Sequence, residues 1–189
     1  MRKLSVFGAT GTIGDNTLDL VSRHPDKFDV QVLTAHENVE KLAALARAHM
    51  PSLVVVSNPE CQPALASALE SLPIKVEAGA KALVDAARAP VDLVVMGIVG
   101  FAALGPSLAS ARYADAVALA NKECLVVSGA LLMETAARYE TCLLPVDSEH
   151  NGVFQLLEGR DADTPTKIVL TASGGPFREM ALDDMARVT

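Results

Sequence analysis

The sequence predicts an α/β protein with a doubly wound parallel sheet. Short apolar runs alternate with longer stretches of helical period. Several of those runs are apolar at every position, as strands covered on both faces must be. The first run passes directly into Gly8-Ala9-Thr10-Gly11-Thr12-Ile13-Gly14, a glycine-rich turn that opens a helix, and this makes the sheet Rossmann-like.

The strand candidates are Leu4–Phe7, Val30–Thr34, Leu53–Val56, Ile74–Glu77, Leu93–Met96, Ala116–Ala120, Cys142–Pro145 and Ile168–Thr171. Helix candidates fill the gaps at Ile13–Arg23, Val39–His49, Pro59–Ser71, Ala80–Ala89, Leu104–Ala111 and Leu125–Tyr139, with a further helical stretch at Asn151–Leu157. In the second helix Val39, Leu42, Ala43 and Ala46 recur at 3/4 spacing behind Asn38, a natural N-cap. The expected division is a nucleotide-binding domain over 1–146 and the beginning of a truncated second domain over 147–189. After the first boundary come a polar link, one more strand, Ser173-Gly174-Gly175-Pro176 and an amphipathic tail.

Composition narrows the function classes. Of the 189 residues 50% are apolar but only 4% aromatic, with no Trp, so the core must be built from Ala, Val, Leu and Ile. The formal net charge is −7 with no Lys/Arg cluster to offset it, which argues against a nucleic-acid partner. An anionic cofactor must then be held by local backbone amides and a few side chains. Cys61, Cys124 and Cys142 form no C-x-x-C pair and read as reduced thiols of a cytoplasmic protein. Glycines interrupt the first apolar run too early for a signal sequence or a membrane span.

Gly8, Gly11 and Gly14 have the spacing G-x-x-G-x-x-G. Such a turn lets a phosphate approach the backbone while helix-start N–H groups point at it, and Thr10 and Thr12 add hydroxyls. The alternative is a tight strand-to-helix turn without a ligand. The second strand ends in His36-Glu37-Asn38, where an adenine ribose would lie. Glu37 would accept a hydrogen bond from a free 2′-hydroxyl, whereas a 2′-phosphate wants a cation.

Asp147-Ser148-Glu149-His150 follows another apolar run. Two carboxylates at a strand's C-terminal end suit Mg²⁺ or Mn²⁺; equally, Asp147 or Ser148 can cap the following helix. His150 is a ligand, a base or a structural residue. Asn121-Lys122-Glu123 also follows an apolar strand: Lys122 can face an anion and Asn121 a ribose or carboxamide, or Asn121 caps a helix. Thr171–Phe177 is a further strand-to-glycine turn whose hydroxyl can hold phosphate.

Together these segments resemble the 1-deoxy-D-xylulose-5-phosphate reductoisomerase family. The matches are G-A-T-G-T-I-G, T-A-x-x-N, I-V-G at Ile98–Gly100, A-L-A-N-K-E at Ala118–Glu123, L-L-P-V-D-S-E-H-N at Leu143–Asn151 and T-A-S-G-G-P-F at Thr171–Phe177. The resemblance implies metal-assisted rearrangement of a sugar phosphate, then NADPH reduction to 2-C-methyl-D-erythritol 4-phosphate for isoprenoid synthesis. It implies cofactor contacts at Thr10, Gly11, Thr12, Ile13, Asn38, Asn121 and Glu123, and metal ligands at Asp147 and Glu149. Substrate or catalytic roles fall to Lys122, Ser148, Glu149 and Ser173. The intact family is homodimeric with dimer contacts largely past Thr189, so the oligomeric state of this chain stays open; a cytoplasmic location with no membrane partner is expected.

Three positions depart from the family pattern. His36-Glu37 replaces a small or polar residue and then Lys or Arg, which admits NADH beside NADPH. Cys124 replaces Ser or Thr, and Ala103 replaces Gly. The family continues past Thr189 with further metal and phosphate ligands, so the chain alone is expected to bind cofactor without turnover. The competing reading is a non-catalytic dinucleotide-binding module. An aspartate-semialdehyde dehydrogenase-like enzyme would need a His-activated nucleophilic Cys, and neither Cys124 nor Cys142 has that setting.

Overall fold

The computed structural model describes residues 1–158, 167–170, 174–175 and 177–188. Seven strands form one sheet in the order β4-β3-β2-β1-β5-β6-β7, and every neighbouring pair is parallel. They are β1 (Arg2–Phe7), β2 (Phe28–Ala35), β3 (Leu53–Val56), β4 (Lys75–Ala78), β5 (Leu93–Met96), β6 (Ala116–Leu119) and β7 (Cys142–Pro145). The chain winds outward from β1 to β4, returns to the other side of β1, and winds outward again to β7. The order reverses between β1 and β5, so their C-terminal ends diverge around a crevice, the expected ligand position in such a sheet.

Strict side-chain alternation explains why the strands are apolar throughout. Val6 and Phe7 point to opposite faces, as do Val54 and Val55, and Val94 and Val95. One face is covered by α1 (Thr12–Arg23), α2 (Val39–His49) and α3 (Gln62–Leu69) through Leu18, Leu42 and Leu65. The other is covered by α4 (Ala80–Ala86), α5 (Leu104–Tyr113) and α6 (Glu123–Arg138) through Leu83, Ala111 and Leu132. Ala-rich helices such as α5 lie close to the sheet, which is how a core without Trp is filled.

Several expected boundaries move for local reasons. The expected helix Pro59–Ser71 divides into a 3₁₀ turn, Pro59–Cys61, and α3. Pro63 has no N–H for the carbonyl of Pro59, and Gln62 takes that carbonyl in an i→i−3 bond instead. α4 stops at Ala86 because Arg88 and Ala89 tighten into i→i−3 bonds ahead of Pro90. α6 starts two residues early, at Glu123, and kinks at Ser128 (φ −147°, ψ 31°), a Ser-Gly step of the sort that breaks a helix axis. α7 (Ser148–Leu157) begins three residues before its expected start, at Asn151.

The strand expected at Ile168–Thr171 does not form over its described residues. Ile168, Val169 and Leu170 are exposed, and none joins the sheet. An apolar run is a local signal, whereas a strand needs a neighbour. Thr171 and Ser173 lie outside the described residues. The polypeptide divides into two compact units, Met1–Asn151 and Gly152–Thr189; the second contains the one-turn helix α8 (Leu182–Met185). Among the described residues no helix is long and apolar enough to cross a membrane.

Candidate active site

Two clefts open at the C-terminal ends of the strands. The first, about 210 Å³, lies at the β1/β5 switch point and is lined by Gly8, Thr10, Gly11, Thr34, Ala35, His36, Ser57, Leu83, Gly97, Ile98, Val99 and Ala102. The second, about 180 Å³, lies beyond β6 and β7 and is lined by residues including Asn121, Lys122, Leu125, Met133, Asp147 and His150.

The three glycines of the turn after β1, Gly8, Gly11 and Gly14, differ in what surrounds them. Gly8 has φ +82°, and a Cβ there would stand 2.8 Å from the Gly97 backbone, so only glycine lets β1 turn off beside β5. A Cβ on Gly14 would collide with the backbone of Ala9, so Gly14 sets how closely α1 packs on β1. Gly11 is unlike either. Its φ of −92° and ψ of 175° suit any residue, and a Cβ would meet only the Gly8 carbonyl oxygen at 3.5 Å, an ordinary contact. The described residues do not themselves require glycine there, and its bare backbone leaves that edge of the cleft open. Among the described residues, the backbone N–H groups of Thr12 and Ile13 in the first turn of α1 have no partner. Thr12 is exposed, and Ile13 packs into the core. Both can therefore offer backbone amides to an anion, and the exposed Thr12 has a hydroxyl beside them.

The C-terminal end of β2 shows features that sequence reading missed. His36 lines the cleft and its Nδ1 is 2.6 Å from Ser57 Oγ. Glu37 is not among the lining residues. Asn38 Oδ1 accepts from the Lys41 backbone N–H at 3.1 Å, capping α2. The Lys41 ammonium reaches across to the Thr10 carbonyl oxygen at 3.0 Å and the Asp15 carboxylate at 2.6 Å. Ser57 comes to the cleft because β3 neighbours β2, and strand order is not readable from the motifs.

In the second cleft Asp147 is the centre. Its carbonyl oxygen accepts from the Asn151 N–H at 2.8 Å, which starts α7, and its carboxylate takes the backbone N–H of His150. Its two oxygens also meet Lys122 Nζ at 3.2 Å and His150 Nδ1 at 3.0 Å. Burial opposes the charged form of Asp147, but the hydrogen bonds from Lys122 and His150 outweigh it and hold the carboxyl at about 2, below its ordinary 3.8. The same pair raises the pKa of Lys122. Ser148 donates its hydroxyl to Glu149 Oε2 at 2.8 Å. Glu123, exposed in the first turn of α6, adds its field to that of Asp147 on Lys122.

Asn121 stands between the clefts and is 2% exposed. Its amide nitrogen donates to the carbonyls of Ile98 (2.8 Å) and Gly100 (3.0 Å), and its Oδ1 accepts from the Cys124 N–H at 2.8 Å. Both of its N–H donors are spent on the loop that walls the first cleft.

Comparison with known proteins bears on this arrangement. The N-terminal family model for 1-deoxy-D-xylulose 5-phosphate reductoisomerase matches residues 4–129, and the model for the C-terminal domain of that enzyme matches residues 143–189. This chain belongs to the 1-deoxy-D-xylulose 5-phosphate reductoisomerase family. It is 48% identical over its full length to the Ruegeria pomeroyi reductoisomerase and 44% identical to one from Bacteroides fragilis. It spans 48% and 49% of those proteins, about half the length of the curated relatives it matches. The solved Zymomonas mobilis reductoisomerase in complex with NADPH superposes on the whole chain with a TM-score of 0.91 at 44% identity, the chain covering 50% of it. A reductoisomerase in complex with NADPH, fosmidomycin and magnesium matches 82% of the chain, and 38% of that protein, with a TM-score of 0.78 at 37% identity.

Two departures from the reductoisomerase pattern fit locally. Ala103 is fully buried and closes a 3₁₀ turn, Gly100–Ala103, with ordinary dihedrals (φ −75°, ψ −18°). The positive φ of that loop falls on Gly100. Cys124 is buried, its Sγ 3.8 Å from Ser107 Oγ, and burial pushes its thiol pKa up, so it is a packing residue rather than a nucleophile.

The donor set for a hard cation is Asp147 and Glu149, both carboxylates. Among the described residues there is no group of three His, Cys, Asp or Glu side chains that could hold a metal ion. Two carboxylates still match how Mg²⁺ is usually held, with water or substrate oxygens completing the shell. One Asp147 oxygen is engaged by the Lys122 ammonium at 3.2 Å.

Proposed function

We propose that this chain serves NADPH- and divalent-metal-dependent rearrangement and reduction of 1-deoxy-D-xylulose 5-phosphate to 2-C-methyl-D-erythritol 4-phosphate, in non-mevalonate isoprenoid biosynthesis in the cytoplasm. Residues 1–146 form the cofactor domain, and residues 147–189 begin the domain that receives the sugar phosphate. The observation that carries this reading is the adjacency of the two clefts, tied side to side by Asn121. A hydride donor and its acceptor must sit next to one another, and a nucleotide module needs only the first cleft.

NADPH supplies the hydride, and Mg²⁺ or Mn²⁺ supplies Lewis-acid polarisation of the substrate oxygens. The protein's part is positioning and charge. Thr12 and Ile13 amides, with Thr10 and the bare edge of Gly11, receive the cofactor phosphates. Asn38 caps α2 and keeps its amide nitrogen for the adenosine end. Asn121 fixes the 98–100 loop, and Glu123 holds the first turn of α6 beside it. Asp147 and Glu149 would hold the metal. Lys122 stays protonated beside Asp147 and presents its ammonium to substrate oxygens that gain negative charge. Ser148 donates a hydroxyl, orienting Glu149 until substrate arrives, and Ser173 takes a substrate-phosphate role.

Titration calorimetry of the chain with NADPH tests the reading. Saturable binding that survives Asp147→Asn supports it, because Asp147 lines only the second cleft. A folded chain that binds no NADPH refutes it. One observation favours the second reading, a non-catalytic dinucleotide-binding module: both Asp147 oxygens are already engaged, one by the Lys122 ammonium and the other by His150 Nδ1. Mg²⁺-dependent binding of a phosphonohydroxamate substrate mimic would exclude the module.

A further inference from the structure

We propose that Lys41, with His36 on the cleft wall, supplies the positive charge that receives the 2′-phosphate of NADPH, so that the chain keeps its NADPH preference in spite of Glu37. This rests on the cofactor reading above. A 2′-phosphate at the end of β2 requires a cation. Among the described residues the lining of the first cleft contains no Lys, Arg, Asp or Glu, and His36 is the one that can carry positive charge.

Lys41 lies in the first turn of α2, one residue past Glu40 and four past Glu37. Either carboxylate is within easy sequence reach, yet Lys41 pairs with neither. Its ammonium bridges instead to the Thr10 carbonyl and to Asp15, at the mouth of the phosphate turn. Thr10 itself lines the cleft. The Lys41 ammonium is therefore placed at the phosphate turn beside Thr10, with its side chain 37% exposed, where it can trade Asp15 for a phosphate dianion. Glu37 makes no ion pair among the described residues, and its backbone carbonyl is engaged by Val39 N–H and by the thiol of Cys61.

The experiment is calorimetric titration of the chain with NADPH and with NADH, for the parent protein and for Lys41→Met, Lys41→Arg, His36→Ala and Asp15→Asn. Circular dichroism checks that each variant is folded. Lys41→Met should weaken NADPH binding about tenfold or more, the loss expected for a charge-assisted bond to phosphate, and leave NADH within about twofold. Lys41→Arg should restore most of the preference, and His36→Ala should reduce it by a smaller factor. Asp15→Asn separates a phosphate ligand from a mere brace of the turn. It should leave NADPH binding unchanged or tighter, because it frees Lys41. Equal weakening of both cofactors in Lys41→Met, or weakening by Asp15→Asn as large as that of Lys41→Met, would overturn the inference while leaving the cofactor reading standing. Failure of the folded parent chain to bind either cofactor would overturn both.

Discussion

Gly11→Ala separates a glycine required by the fold from one required by a ligand. The added methyl would find only the Gly8 carbonyl oxygen, at 3.5 Å, on the protein side, and the backbone at φ −92°, ψ 175° is open to alanine. Alanine is a poorer N-cap than glycine by roughly 0.5–1 kcal/mol. It also restricts the unfolded chain, a gain of about 0.4–1 kcal/mol. The two offset, so stability should change by less than about 0.5 kcal/mol. Binding should change far more. The methyl projects where a diphosphate must approach the Thr12 and Ile13 amides, and losing one charge-assisted hydrogen bond costs about 1.5–3 kcal/mol, roughly 10- to 150-fold in Kd. The assay is urea denaturation for stability and calorimetry for NADPH affinity, with Gly14→Ala alongside. Gly14→Ala drives a methyl into the Ala9 backbone and should lose about 1–3 kcal/mol of stability as overpacking. A stable Gly11→Ala protein with parental NADPH affinity would refute the ligand explanation of Gly11. A strongly destabilised one would refute the reading of its contacts.

Asn121→Ala should weaken NADPH binding about tenfold or more by releasing the Ile98 and Gly100 carbonyls, while Asn121→Asp, which keeps the acceptor for Cys124 N–H, should preserve α6 helicity but not affinity. The Asp147 carboxyl should titrate near 2 when followed by carbon-13 NMR, and in Lys122→Met it should move up toward 3.8. Because the folded value is depressed, the stabilisation from this group is complete above about pH 3.8 and is lost as pH falls through about 2. Among the described residues Ser110 Oγ is buried without a hydrogen-bond partner, so Ser110→Ala should raise stability by about 0.5–1 kcal/mol in a denaturant titration, and a loss of stability would show that the hydroxyl is satisfied in solution.

Most of the sheet was legible because a parallel strand covered on both faces must be apolar at consecutive positions, and Leu53–Val56, Leu93–Met96 and Cys142–Pro145 are bounded in the structure as the pattern predicts. Helix ends were less legible, because Pro63 and the Ser128-Gly129 step act through particular hydrogen bonds rather than through periodicity. Asp147 shows the limit at the site. The spacing of Asp147 and Glu149 suggested two carboxylates facing one ion, but capping of α7 and pairing with Lys122 and His150 engage Asp147, and Ser148 engages Glu149. Both the metal and the capping readings began from the same residues.

The sequence by itself determined the α/β class, the glycine turn after the first strand and the family, because these depend on short-range order: which residue follows which along a strand, turn or helix start. Only the tertiary structure decided that His36 rather than Glu37 lines the first cleft, that Ser57 joins it, that Lys41 reaches the Thr10 carbonyl, and that Asn121 spends its amide on the wall of the neighbouring cleft. Those hydrogen bonds join residues 21 to 31 positions apart through the strand order β3-β2-β1-β5-β6, and each is settled by which partner is nearest once the sheet has closed.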